Sequence, residues 1–362
     1  MEFIKGADIS MFFELEELGA CFFDKNEKQD MISILKNYGF NLIRLRIWDN
    51  PFDYEGNSYG GGCNDYLKTV AIAKKTKEAG MKFLLDIHYS DFWTDPSKQI
   101  KPKKWTSLSY EELKEQVYNY TYSLVSKLEK EDLLPEMIQI GNEITKGFLW
   151  PEGSIENVKQ MCELLEQGIR AVKDINKDIK ILLHLDFGGD NELYRNWFDE
   201  VMKYNLDFDT IGLSYYPYWH WNLEKLKFNL NDISKRYDKE VIILETAYAF
   251  TKEAVEGGNL IFSDELEAEA GYPATPKGQG DFLQDLMKVI DEVPNNKGLG
   301  FVYWEPCWIP TLHSTWASEA GRKYIVDEAE GGNTWANQAL FDYSGNSLPA
   351  LQVINDFKRG GY

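Results

Sequence analysis

Two glutamates end apolar runs in this chain: Glu143 follows MIQIG (137–141) and Asn142, and Glu245 follows VIIL (241–244). A carboxylate carried out of water without a partner is costly or is neutralised by a shifted pKa, so each glutamate needs partners or a wet cavity. Two carboxylates facing each other across a cavity are the apparatus of glycoside hydrolysis. One protonates the leaving oxygen while the other attacks the sugar or activates water. Either glutamate alone could cap a strand or pair with an arginine. The two together, with Asn142 beside the first, favour chemistry.

Other polar residues fall at comparable places. Arg44 and Arg46 alternate with Ile43, Leu45 and Ile47, so the arginines share one face of a strand and the aliphatics the other. Buried arginines usually have carboxylate partners: Asp8 or Asp86 low in the fold, or Glu245, which a guanidinium would hold ionised. His88 follows Asp86 on the same face, as either a hydrogen-bonded core histidine or a catalytic neighbour. Aromatics gather after strand ends rather than on helix stripes, among them Trp93, Trp105, Trp150, Tyr216, Trp219, Trp304, Trp308, Trp316 and Trp335. Some must be packing, but the placement favours a groove whose flat apolar faces stack on sugar rings.

Weaker signals carry less. DINKD (174–178) starts like a calcium loop, but Ile179 stands where glycine is needed and no glutamate closes the loop. HLD (184–186) has no second histidine near it in sequence, GQG (278–280) lacks the context of a nucleotide loop, and Asn119 in NYT lies in a helical stretch. Cys21, Cys63, Cys162 and Cys307 are far apart and read as separate thiols. No metal site is expected.

These residues need a frame. Eight short apolar runs recur, at 3–8, 41–48, 81–88, 136–143, 179–186, 209–216, 240–246 and 298–304. Between them lie helical spacings at 24–39, 66–80, 110–130, 156–175, 191–205 and 280–293. Apolar strands alternating with helices imply a parallel sheet covered by helices, and eight units suggest a closed (β/α)8 TIM barrel. Active residues of a barrel stand at the C-terminal strand ends, where Glu143 and Glu245 fall. The segments 247–279 and 305–346 then become enlarged strand-to-helix loops on the catalytic rim. No linker or low-complexity tract divides residues 1–362, so a single catalytic domain is expected.

A chain of 362 residues, 43% hydrophobic and 14% aromatic, can fill such a core. Its net charge of −20 repels phosphate backbones, which argues against a nucleic-acid partner. No apolar run approaches the length of a membrane span, about 18 residues, and MEFIKGADIS does not read as a leader. The expected location is cytoplasmic if Met1 is the natural start and secreted if a leader has been removed.

At this point the motifs resemble one family, glycoside hydrolase family 53, the arabinogalactan endo-β-1,4-galactanases of clan A. The resemblance rests on GADIS (6–10), NLIRLRIWDNP (41–51), LLDIHYSDFWTDPSKQIKPKKW (84–105), QIGNEITKGFLWPEG (139–153), GGDN (188–191), IGLSYYPYWH (211–220), LETAYAF (244–250), VYWEPCWIP (302–310) and NTWANQALFD (333–342). It runs over nearly the whole chain, in order.

The resemblance implies a retaining hydrolase in which Glu143 is the acid/base and Glu245 the nucleophile. It implies that Asn142 bonds the sugar 2-hydroxyl, that Arg44 and Tyr216 support the nucleophile, and that His88 and Trp304 neighbour the cleaved subsite. Asp91, Trp93, Asp190, Asn191, Trp219, Trp308 and Trp335 resemble groove residues. The implied partner is β-1,4-galactan, as polymer or, in an alternative inside the cell, as short oligosaccharides; a monomer is expected. Bacterial members often carry calcium in the loops after strands seven and eight. The segment 251–280 has no comparable ligand cluster, so calcium would rest on resemblance alone and no cofactor is expected.

Overall fold

The computed structural model describes residues 2–255 and 260–361. Eight parallel strands close into a barrel: β1 (Ile4–Asp8), β4 (Leu42–Ile47), β5 (Lys82–Ile87), β6 (Met137–Ile140), β7 (Lys180–Leu185), β8 (Thr210–Ser214), β9 (Glu240–Thr246) and β10 (Gly298–Trp304). Each falls inside one of the eight apolar runs. The remaining two, β2 (Phe22–Asp24) and β3 (Glu27–Gln29), form an antiparallel hairpin. The helical spacing of 24–39 predicts a helix that starts near residue 24. Lys25 and Asn26 instead take positive φ (52° and 65°), the backbone of a tight hairpin turn, and the helix begins at Met31, capped by Asp30.

Alternation along the strands builds the interior in layers. Ile43, Leu45 and Ile47 of β4 face outward and pack with the surrounding helices, as do Ile138 and Ile140 of β6. The opposite faces supply a separate apolar plug, including Ile4, Leu42, Leu84, Met137, Leu182, Ile242 and Leu244. Two residues further along the same faces the plug gives way to polar groups: Arg44 after Leu42, Asp86 after Leu84, Gln139 after Met137 and His184 after Leu182. The plug seals the base of the barrel; the polar layer becomes the floor of a cleft.

Among the described residues no helix is long and apolar enough to cross a membrane. The four cysteines are free thiols.

Candidate active site

The cleft at the C-terminal mouth of the barrel encloses about 710 Å³ and is lined by Arg44, His88, Asn142, Glu143, Tyr216 and Glu245 with a wall of tryptophans. Two backbone devices aim the glutamates into it. After β6, Gly141 takes φ +80°, where a Cβ would stand 2.6 Å from Ile144 Cγ2, and Glu143 itself lies in the left-handed region (φ 46°, ψ 54°). The chain turns sharply there, at some cost in strain.

Glu245 depends on a β-bulge. Leu213 and Ser214 of β8 pair with Ile243 and Glu245, and Phe301 and Tyr303 of β10 pair with Ile243 and Thr246, so β9 carries one extra residue. Leu244 turns inward over Gly212, where a Cβ would be 2.1 Å from Leu244 Cδ1. The extra residue resets the alternation, and Glu245 also faces the cavity.

Arg44 joins these pieces. Its Nη1 reaches Asp8 Oδ2 at 2.8 Å and Glu245 Oε1 at 3.1 Å. Its Nη2 reaches Asp86 Oδ2 at 2.8 Å and Asn142 Oδ1 at 3.0 Å, and its Nε donates to Gln139 Oε1 at 3.1 Å. Pairing low in the barrel and contact with Glu245 were alternatives in the sequence; one guanidinium does both. Arg44 and the Tyr216 hydroxyl both favour the ionised form of Glu245, as the resemblance implies, but burial outweighs them. Burial pushes the carboxyl up to about 7 against the pull of Arg44, with Asp8 and Asp86 raising it and the Tyr216 hydroxyl, at 3.2 Å, lowering it.

Glu143 is pushed harder. Burial, then the charges of Glu245 and Asp186, carry it well above the usual carboxylate range, opposed by Ser214 Oγ donating to Oε1 at 2.6 Å. Of the two glutamates Glu143 is raised the further, so it keeps its proton to higher pH. Asp186, at the end of β7, also lines the cleft; burial pushes it up to about 6 although the Thr145 hydroxyl donates to it.

Histidines fix this arrangement from below and beside. His184 is held neutral by burial and by Arg44 and His88. Its Nε2 lies 2.9 Å from Ser214 Oγ, whose own proton goes to Glu143, so Nε2 donates and Nδ1 accepts from Gln139 Nε2 at 3.0 Å. In the sequence His184 suggests only a metal ligand, and Ser214 carries no signal of its own. Position gave the missing signal, since both residues lie on inward faces near strand ends. Trp48 Nε1 can only donate, at 3.3 Å, so His88 Nδ1 accepts and Nε2 carries a proton toward Asp86 Oδ2, 3.0 Å away.

One wall is aromatic. Trp304 packs against Trp335 at 4.9 Å between centroids, Trp308 at 6.0 Å and Trp93 at 6.1 Å, while Trp219, 41% exposed, stands at the rim. Three residues carried over as groove contacts are placed elsewhere. Asp91 is buried and accepts from the backbone N–H of Asn50 and Lys103 and from Lys103 Nζ, so it anchors loops. Asp190 caps the helix Asn191–Val201, and Asn191 donates to Asn229 and Asp232 on the neighbouring helix. None of the three lines the cleft. Trp150, read as lying along the groove, walls a separate adjoining cavity.

The segment 251–280, whose sequence has no cluster of closely spaced calcium ligands, includes residues 256–259, which lie outside the described residues. Among the described residues no three His, Cys, Asp or Glu side chains are grouped to hold a metal ion.

The chain resembles known proteins over nearly its full length. The family described as glycosyl hydrolase family 53 matches residues 4–354. The solved "Ignisphaera aggregans GH53 catalytic domain" superposes with a TM-score of 0.92 at 43% identity, over 98% of this chain and 95% of that one. A solved fungal β-1,4-galactanase gives a TM-score of 0.81 at 30% identity over 99% of this chain and all of that one. The endo-β-1,4-galactanase of Bacillus subtilis is 39% identical over 99% of this chain and 87% of its own length. With a closed eight-stranded barrel and a two-glutamate cleft at its mouth, the chain is a glycoside hydrolase and belongs to glycosyl hydrolase family 53.

Proposed function

We propose that this hydrolase cleaves internal β-1,4-galactosidic bonds of galactan or type I arabinogalactan by a retaining double displacement, with Glu245 as nucleophile and Glu143 as acid/base. The observation that carries the reading is the unequal pair in the cleft. Burial and negative neighbours raise both, but on Glu245 a guanidinium and a phenol oppose the rise, whereas on Glu143 the opposing group is the Ser214 hydroxyl. That is the division between an anion that attacks and an acid that gives a proton. The substrate follows relatives named as β-1,4-galactanases.

In this reaction Glu245 attacks the anomeric carbon as Glu143 protonates the departing glycosidic oxygen, leaving a glycosyl ester on Glu245. Ester formation removes the negative charge beside Glu143, whose pKa then falls. Glu143, now a carboxylate, takes a proton from water as the water attacks the anomeric carbon, and the bond from that carbon to Glu245 breaks to release the carboxylate. In this reading Asn142, whose Oδ1 is held by Arg44 and Gln139 and whose Nδ2 donates to the Thr94 carbonyl, bonds the sugar 2-hydroxyl. His88, Tyr216 and Trp304 shape the cleaved subsite; Trp93, Trp219, Trp308 and Trp335 supply stacking faces.

The deciding experiment is a product profile on β-1,4-galactan beside mannan and cellulose. Mixed oligosaccharides from galactan alone are expected; release of galactose alone would overturn the internal mode of cleavage. Glu143→Ala and Glu245→Ala should each lower turnover by about three or more powers of ten. Azide should restore an inverted product to the Glu245 variant and a retained one to the Glu143 variant on an activated substrate.

A further inference from the structure

Arg44 Nε can only donate, so the atom it meets at 3.1 Å, Gln139 Oε1, is an acceptor, and the buried Gln139 amide has one orientation. Its Nε2 therefore donates: one proton to His184 Nδ1 at 3.0 Å, the other shared between the Gly141 carbonyl at 3.0 Å and Asn142 Oδ1 at 3.1 Å. The backbone N–H of Glu143 also points at His184 Nδ1, at 3.4 Å. Two donors converge on Nδ1, which must accept, and a ring held neutral by burial then carries its proton on Nε2. Asn142 Oδ1 lies 3.0 Å from Nδ1 as well, but Arg44 Nη2 already serves it at 3.0 Å.

His184 Nε2 lies 2.9 Å from Ser214 Oγ, so Ser214 accepts there and gives its one proton to Glu143 Oε1 at 2.6 Å. The hydrogen bonds run one way, from Arg44 to Glu143, and no member can turn round unless the others do. Their end has a chemical consequence. A carboxyl group accepts at its carbonyl oxygen, so an Oε1 that accepts from Ser214 leaves the group's own proton to Oε2. Oε2 has no partner among the described residues and opens to the cleft that Glu143 lines. We propose that the relay through Gln139, His184 and Ser214 confines the acid proton of Glu143 to Oε2, the oxygen presented to the substrate, and that His184 is a positioning residue for the acid. The inference rests on Glu143 being the acid/base. In the first step Oε2 gives its proton to the glycosidic oxygen as the bond from that oxygen to the anomeric carbon breaks; in the second the proton of the attacking water returns to Oε2. Oε1 stays bound to Ser214 throughout, so the carboxyl changes from acid to base without turning over. Arg44, which meets Glu245 Oε1 at 3.1 Å, also heads this relay, so one guanidinium orients both carboxyls.

The first test is the tautomer of His184. The protein has 4 histidines, so a nitrogen-15 correlation spectrum of the imidazoles resolves each ring, and that of His184 is the one absent from His184→Phe. A proton on Nε2 is expected; a proton on Nδ1 would reverse the relay and overturn the proposal. The second test measures His184→Phe and Ser214→Ala on galactan and on dinitrophenyl β-galactobioside, whose leaving group departs without an acid. In both variants kcat/KM, which reports formation of the glycosyl ester, should fall about tenfold to thirtyfold on galactan and no more than about twofold on the aryl substrate. Equal losses on the two substrates would make these residues merely structural and overturn the proposal, as would full activity on galactan. Ser214→Ala carries the comparison alone if His184→Phe does not fold. Glu143→Ala separates this inference from its premise: its loss in kcat/KM should be confined to galactan, and an equal loss on both substrates would show that Glu143 is not the acid, so that both readings fall.

Discussion

Arg44 Nη1 lies 3.1 Å from Glu245 Oε1, yet the same guanidinium also serves Asp8 and Asp86, each at 2.8 Å. Three carboxylates divide one buried positive charge, so the counter-charge available to Glu245 is incomplete and its proton affinity stays high. Arg44→Lys keeps a charge but loses the fork that reaches several acceptors at once. Turnover on galactan should fall by about two powers of ten, and the acid limb of kcat/KM should move to higher pH because Glu245 binds its proton more tightly. An unchanged limb would remove Arg44 from the tuning of Glu245.

The two glutamates set a bell-shaped pH profile with a defined order. Glu245 must be ionised to attack, so activity rises as pH increases through its value of about 7. Glu143 must hold its proton, so activity falls again as pH passes its own, higher value. Steady-state kcat/KM across pH should therefore peak above neutrality in the free enzyme. Ser214→Ala removes the hydroxyl that donates to Glu143 Oε1 and favours its carboxylate form, so the alkaline limb of that variant should move higher.

Most of this site was legible because a barrel converts strand ends into a rim. Eight apolar runs gave eight strands, and the strand-end positions put Arg44, His88, Asn142, Glu143, Tyr216 and Glu245 in one cleft. The aim of Glu245 was not legible. In VIILET, Ile242 and Leu244 share the inner face, so simple alternation would send Glu245 outward; the bulge that corrects this is a relation between β9 and its two neighbours. Asp91, Asp190 and Asn191 stand outside the cleft for a related reason. Polar residues in matching loops anchor loops and cap helices as readily as they touch ligands, and only their partners distinguish the two.

The bulge has its own test. Gly212→Ala places a methyl 2.1 Å from Leu244 Cδ1 and 2.9 Å from Cγ, so Leu244 must move and Glu245 with it. Turnover should drop by about tenfold or more, since small misplacements of a reacting group are expensive. Adding Leu244→Ala clears the space and should return part of the lost turnover despite a stability cost of about 2–5 kcal/mol for the emptied core. Activity of the double variant no better than that of Gly212→Ala would show that Gly212 acts by some route other than Leu244.

Beside the cleft, Arg46 repeats the theme with a different purpose. Its guanidinium lies 4.3 Å from the ring centre of Trp93 and 2.5 Å from Glu305 Oε1, and Nη2 donates to the Gly61 carbonyl at 2.8 Å. Burial pushes Glu305 up to about 8 against the pull of Arg46, with Asp8 raising it. An unfolded glutamate titrates near about 4.3, so between that pH and about 8 the folded state holds the extra proton and stability falls as pH rises. Glu305→Gln removes this proton uptake, and its melting temperature should decline less between pH 5 and pH 8 than that of the unsubstituted enzyme. Because the change also loosens Arg46 behind Trp93, KM on galactan should rise about threefold to tenfold while kcat is largely kept. A matching loss in kcat would mean that Glu305 acts on the reacting centre through Asp8 and Arg44 rather than on a sugar-binding face.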